Sequence, residues 1–294
     1  MLFSVTSFLI TFRETIEAAL VIGILLTYVI KIKKRRLRGD IWIGTLAGIA
    51  LSIVVGVLFH YVLGNFEEFE EIIEGFSMIL AAVLLTWMII WMTETGRDMR
   101  NTLESRIDFS IRNQQRLGLI FLAFISVLRE GIETVIFLSG IEAVEGNQSV
   151  VLWSGLAGIA VALTISIILF FSGKKINLRL FFGITSIILI LFASGMLAHG
   201  FHELQELGWF GQETAFLQRT VWDTSFILND NTTELGKFLR TMFGYQDKPT
   251  WLELFVYSSY YLILAILFVI VRKRKNVPVN EQKSIINHEL STTD

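Results

Sequence analysis

The amino-acid sequence predicts an all-α integral membrane protein: seven transmembrane helices, built as two inverted three-helix repeats plus one C-terminal helix, with the N-terminus out and the C-terminus in. Three observations predict it. Apolar stretches of spanning length recur along the chain, Lys and Arg collect in alternate connections, and one charged five-residue pattern occurs twice inside apolar surroundings.

Of the 294 residues, 53% are hydrophobic and only 18% charged, below the roughly one quarter usual for soluble domains. The charges gather between the apolar stretches, and the mean hydropathy is +0.60. There are no cysteines, which excludes disulfides and thiolate metal sites. The first residues lack a basic start and a small-residue cleavage site, so the first apolar stretch is expected to remain as a membrane span.

Seven segments are long and apolar enough to cross about 30 Å of hydrocarbon: Leu2–Ile30, Ile41–Leu63, Ile72–Thr93, Leu117–Ser139, Val150–Ser172, Leu180–Ala198 and Trp251–Val271. All are expected to be helices, because a lone strand leaves its backbone unsatisfied in lipid. The connections after the first, third, fifth and seventh hold 6, 5, 3 and 4 Lys and Arg, and those after the second and fourth hold none. Basic residues mark the cytoplasmic side, and the alternation gives the orientation.

The chain divides accordingly. Residues 1–93 form the first three-helix unit, 94–116 a cytoplasmic amphipathic connector, 117–198 the second unit, 199–250 an extracytoplasmic segment, 251–271 the seventh span and 272–294 a disordered cytoplasmic tail. In the connector Met99, Leu103, Ile107 and Ile111 stand at helical spacing, as in a helix lying along the membrane surface. Segment 199–250 has apolar faces at 216–221 and 238–243 and reads as short external or interfacial helices. Trp42, Gly44 and Gly48 in the second span read against Trp153, Gly155 and Gly158 in the fifth with one gap, and a charged pentad precedes each at a similar distance. Two copies of an odd number of spans must be inverted, a recurring plan of secondary transporters. Small-residue packing alone accounts for the glycines but not for the repeated order of Trp, Gly and pentad.

The pentads are Arg13-Glu14-Thr15-Ile16-Glu17 and Arg129-Glu130-Gly131-Ile132-Glu133. One charged side chain at mid-membrane is unfavourable by about 2.5–3.5 kcal/mol, and three in one helix by roughly 8–10 kcal/mol before partners are found. On a helix Glu14 and Glu17 share a face and Arg13 reaches Glu17; the same holds for Glu130, Glu133 and Arg129. Each helix thus carries one carboxylate more than its arginine can pair. A purely structural pairing leaves that surplus without a role, whereas a cation site uses it. Carboxylates without Cys or His suit hard ions such as Fe(III), Mn(II), Mg(II), Ca(II) or protons, and exclude a copper(I) path.

Paired R-E-x-x-E motifs in inverted three-helix repeats followed by a seventh helix resemble the high-affinity iron permeases of the oxidase-dependent iron transporter family, most closely its bacterial ferrous-iron-uptake branch. Leu85-Thr86-Trp87-Met88 with Trp91-Met92, the His202-Glu203 stretch and Phe243-Gly244-Tyr245-Gln246 add to the resemblance, which spans residues 1–271. The family often has Gly third in the motif, as at Gly131, where the first copy has Thr15. The resemblance implies a multi-pass permease of the plasma membrane that moves iron as its transported ion, without a prosthetic group. It implies Fe(II) oxidised outside by a partner protein that makes or delivers Fe(III), with Glu14, Glu17, Glu130 and Glu133 as iron ligands and Arg13 and Arg129 in support.

Secondary candidates lie on the expected outer side. Glu67, Glu68, Glu70, Glu71 and Glu74 form an acidic stretch in which Glu71 and Glu74 sit at the mouth of the third span, either gathering cations or simply solvated. His202 and Glu203 follow the sixth span, where they serve either as metal ligands or as ordinary contacts of an interfacial helix. Trp87, Trp91 and Trp153 are assigned no chemistry. Beside iron, the residues leave open another hard divalent cation or a proton-coupled carrier. An intramembrane metal-dependent enzyme is disfavoured, because the sequence has no HExxH, GxSxG or buried nucleophile arrangement. Nucleic acid is not an expected partner; membrane lipid is.

Overall fold

Seven long helices run through the described residues: α1 (Val5–Lys31), α2 (Arg38–Asn65), α3 (Glu70–Thr95), α4 (Arg116–Glu145), α5 (Gln148–Ser172), α6 (Leu178–Glu206) and α8 (Trp251–Lys275), with a short α7 (Glu234–Phe243) before the last. They come from a computed structural model that describes residues 3–65, 70–95, 116–172, 178–210, 216–230 and 232–275. The connector expected at 94–116 falls largely outside these residues, as do Glu67 and Glu68 and most of the 272–294 tail. No proline interrupts a long helix; Pro249 stands two residues ahead of α8, where its missing N–H is harmless.

Local signals set the helix starts. The Ser4 hydroxyl accepts the Ser7 N–H at 3.2 Å and caps α1. Thr250 and Glu253 form a reciprocal capping box on α8: a Glu253 carboxylate oxygen accepts the Thr250 N–H at 2.7 Å, and the Glu253 N–H points to the Thr250 hydroxyl at 3.4 Å. Helix α7 begins at the Thr233 cap and ends at Gly244 in the left-handed region (φ 67°). There the N–H groups of Gly244 and Tyr245 return to Arg240 O and Leu239 O, a glycine-terminated stop of the Schellman kind.

Five of the helices, α2, α3, α5, α6 and α8, are long and apolar enough to cross a membrane by length and composition. Helices α1 and α4 are as long, but each carries the three charges of a pentad. Lipid gives apolar helices little reason to associate, so close contact and hydrogen bonds must hold them. Helix α1 lies against α5 and α2 against α4, α1 crosses α4, α3 packs on α6, and α8 covers α6. Small residues permit these approaches. A Cβ on Gly48 of α2 would meet the Phe124 carbonyl and Val127 of α4; one on Gly158 of α5 would meet the Phe8 carbonyl and Thr11 of α1.

Two apolar clusters flank the crossing of α1 and α4. The larger joins Met78, Leu85 and Met88 of α3 to Phe137 of α4, Phe192 of α6 and Tyr260 of α8. The other joins Val21, Leu25 and Val29 of α1 to Ile41 of α2 and Leu119, Ala123 and Val127 of α4.

Two features differ from expectation. Helix α6 does not end near Ala198 but continues unbroken through His199–Glu206. It can do so because Gly75 of α3 and Gly200 of α6 let the two backbones close on each other, so the polar last turns pack inside the bundle. Within 216–250 the first apolar face forms only one 3-10 turn, Phe216–Gln218, and the second lies on α7. This segment is tied down by backbone: Val221 N–H to Pro249 O and Thr224 N–H to Asp247 O, each 2.8 Å. At its end Gly244 abuts Gly195 of α6 so closely that a side chain on either would strike the other's backbone.

Candidate metal centre

The crossing of α1 and α4 brings the two pentads together at mid-helix. One carboxylate oxygen each from Glu14, Glu130 and Glu133 lie within 4.8 Å of one another. All three residues are buried. Each arginine takes the glutamate one turn on: Arg13 Nε donates to Glu17 Oε1 at 3.0 Å, and Arg129 Nε to Glu133 Oε1 at 2.8 Å. The remaining Glu133 oxygen, Oε2 of Glu130 and both oxygens of Glu14 receive no hydrogen bond. Buried acceptors are normally satisfied, so this concentration of buried carboxylate oxygens is chemically suited to a cation. Ionised carboxylates 4.8 Å apart repel by about 3–4 kcal/mol per pair at an effective dielectric of about 20. A positive charge seated between them adds attractions that outweigh that repulsion.

Of the four glutamates expected as ligands, the structure gathers three. Glu17 stays with Arg13 and is not part of the oxygen cluster, whereas Glu133 is held by its arginine through one oxygen and presents the other to the cluster. Gly131 has its reason in packing: a Cβ there would run into the Ser52 side chain of α2.

A second group lies at the end of α6. His202 is held between two carboxylates, Nδ1 to Glu253 Oε1 at 2.6 Å and Nε2 to Glu206 Oε1 at 3.1 Å. His199, one turn earlier, meets Arg240 of α7 at Nε2 and the Gln246 amide at Nδ1, 3.1 Å away. Glu203 sits on the same turn, its Cβ facing Gly75, so Glu74 of α3 and Glu203 belong to one end of the bundle. Glu71 lies in the first turn of α3, with its side chain outside the described part. These residues form a network of pairs, whereas the three-oxygen cluster belongs to the pentads.

Sequence reasoning missed several partners. Trp91 stacks on the Arg129 guanidinium, whose central carbon is 4.6 Å from the ring centroid, and Trp87 stands farther off at 5.9 Å. Nothing in the local sequence pairs α3 with α4, although the i,i+4 spacing of the two tryptophans placed them on one face. Glu253 was legible: T-x-x-E ahead of an apolar run is a capping box, and that box aims its free oxygen at His202.

Comparison with known proteins identifies a family for the chain. The Iron permease FTR1 family matches residues 4–274. The chain is 31% identical over 269 residues to the ferrous iron permease EfeU of Escherichia coli O6:H1 (strain CFT073), covering 90% of this chain and 94% of that protein. To the ferrous iron permease EfeU of Shigella sonnei (strain Ss046) the figures are the same. To that of Yersinia pestis it is 30% identical over 265 residues, covering 89% and 92%. No solved structure matches.

Proposed function

Because the chain belongs to the FTR1 iron permease family, a transport protein of multi-pass membrane character and not an enzyme, we propose that it carries iron as Fe(III) across the plasma membrane through Glu14, Glu130 and Glu133. The iron is oxidised from Fe(II) at the outer face by a partner protein, in keeping with relatives that bear the name ferrous iron permease. The observation that carries this reading is the convergence of three buried carboxylate oxygens from two crossing helices, with no donor aimed at Glu14. Hard oxygen ligands suit the ferric ion. The surrounding quartet with its two arginines has a formal charge of −2, enough to hold a trivalent ion without sealing it in. Arg13 and Arg129 keep Glu17 and Glu133 oriented and limit repulsion when no ion is present.

In this reading seven helices span the bilayer with the N-terminus outside. Helices α1–α3 and α4–α6 are inverted repeats, and access alternates about the crossing of α1 and α4. The matching glycine contacts of α5 on α1 and α2 on α4 support such a relation. The His202–Glu253 end, with Glu74 and Glu203, then faces outward, on the side from which iron arrives.

Radio-iron uptake by proteoliposomes tests the site. Glu14→Gln, Glu130→Gln and Glu133→Gln are expected to lower uptake at least tenfold, with Glu17→Gln milder, and Ga(III), which mimics only the ferric ion, is expected to compete where Mn(II) does not. Full uptake by a folded Glu14→Gln protein would overturn the reading. Competition by Mn(II) alone would replace Fe(III) with a divalent cargo.

A further inference from the structure

The contact of α5 on α1 and that of α2 on α4 are the same joint made twice, with one chemical difference. With Arg13 aligned on Arg129, residues Phe8, Thr11 and Phe12 fall on Phe124, Val127 and Leu128. The neighbours of Gly158 are Phe8 O, Thr11 and Phe12 N; those of Gly48 are Phe124 O, Val127 and Leu128 N. Towards the start of each helix, however, α1 presents Thr11, Ser7 and Ser4 where α4 presents Val127, Ala123 and Ile120.

On α1 these residues make a continuous polar ladder. Thr11 Oγ1 donates to Ser7 O and to Gly155 O, both at 2.8 Å. The Ser7 and Ser4 hydroxyls lie 2.8 Å apart, and Ser4 Oγ donates to Glu145 Oε1, the far end of α4, at 2.6 Å. The Ser4 N–H donates to Ser154 of α5 at 2.8 Å. Ser4, Ser7 and Thr11 are all buried. Close packing does not require them, since Ala123 and Val127 complete the equivalent joint with carbon alone. Nor do interhelical hydrogen bonds explain why only one of two matched joints has them.

Residues 4, 7, 11 and 14 are spaced three and four apart, so the ladder and Glu14 share one face of α1. Beyond Glu14 the same spacing leads to Val21, Leu25 and Val29, buried in the apolar cluster with Ala123 and Val127. The face therefore changes from polar to apolar at the carboxylates. At 1.5 Å per residue, Glu145 stands about 18 Å beyond Glu133 along α4, close to half the thickness of a bilayer core.

We propose that Glu145 with Ser4, Ser7 and Thr11 is the polar half-path along which a hydrated hard cation reaches Glu14 from the end where α1 begins, and that the cluster around Val21, Leu25 and Val127 shuts the other half. The inference rests on Glu14, Glu130 and Glu133 being the cargo site. Glu145 is a specificity and access residue: its carboxylate draws the cation in, and the hydroxyls replace lost hydration oxygens in steps.

The cysteine-free chain allows a direct test on full-length protein in proteoliposomes. Ser7→Cys and its aligned counterpart Ala123→Cys are exposed to a small charged methanethiosulfonate reagent applied to both faces. Ser7→Cys is expected to react at least tenfold faster; equal or reversed rates sink the half-path. Thr11→Cys and Val127→Cys form a second aligned pair should either first variant misfold. Glu145→Gln is expected to raise the KM for iron uptake at least fivefold, while equilibrium binding of Tb(III), followed by its luminescence, changes less than twofold. A parallel loss of both would make Glu145 merely structural. Glu14→Gln separates the two layers of the argument. If it abolishes Tb(III) binding while the paired cysteines react alike, the site stands and the path falls; if binding persists in Glu14→Gln, the site itself falls.

Discussion

Arg13 and Arg129 open the same five-residue pattern, and each donates through Nε to the glutamate one turn on. Their surroundings diverge. The Arg13 side chain is 0% exposed, while that of Arg129 is 34% exposed and leans on Trp91. The third position differs as well: Gly131 lets Ser52 of α2 press onto the backbone of α4, whereas the first copy carries Thr15. The two halves thus divide the work. The first pentad is sealed in the bundle and brings Glu14 to the oxygen cluster without a hydrogen bond to either of its carboxylate oxygens. The second brings Glu130 and Glu133, on a helix whose arginine is partly exposed.

The comparison is broken most severely at the arginines. Arg13→Ala leaves the Glu17 carboxylate buried without its partner, and is expected to destabilise the protein by about 3–5 kcal/mol, as breaking a buried pair does. Arg129→Ala, at a third-exposed side chain, is expected to lower stability less, by about 1–3 kcal/mol, because the Glu133 it leaves unpaired is buried. Thermal unfolding of the detergent-solubilised variants, followed by loss of the monodisperse chromatographic peak, compares them; equal shifts would erase the distinction.

Next in size is Gly131→Ala, whose methyl group collides with Ser52. Overpacking of this kind is expected to lose about 1–3 kcal/mol, and the double variant Gly131→Ala/Ser52→Gly is expected to regain most of it. Absence of rescue in the same unfolding assay would mean that Gly131 is there for another reason than α2. The smallest effect belongs to the tryptophans. Trp91→Ala removes a cation–π contact of about 0.5–2 kcal/mol and is expected to slow iron uptake severalfold, with Trp87→Ala, at the longer distance, changing it less. The reverse order would place the functional contact on Trp87.

Helices and carboxylates were legible because each rests on periodicity or on a large local penalty. Apolar runs fixed the long helices, and three charges in one apolar stretch could not be incidental. Spacing also paired Arg13 with Glu17 and Arg129 with Glu133, since i,i+4 geometry is local. What spacing could not say is that Glu133 would offer its second oxygen to the cluster while Glu17 would not. That depends on how α1 and α4 cross, a tertiary quantity. The end of α6 was misjudged for a related reason. Hydropathy measures how much chain suits hydrocarbon, not how far a helix runs, and His199, Gly200, His202 and Glu203 ended the first without ending the second. The hydroxyls at Ser4, Ser7 and Thr11 passed unnoticed because single Ser and Thr residues in a span carry little signal until their neighbours are known.

The backbone contact between Gly195 and Gly244 has a mechanical meaning. Side-chain contacts can slip by changing rotamer, but two glycine backbones in register have no such slack. Helix α6 and the segment ending at α7 are therefore held in fixed relation: any shift of α6 along its axis would have to carry that segment with it, since His199 of α6 also meets Arg240 and Gln246.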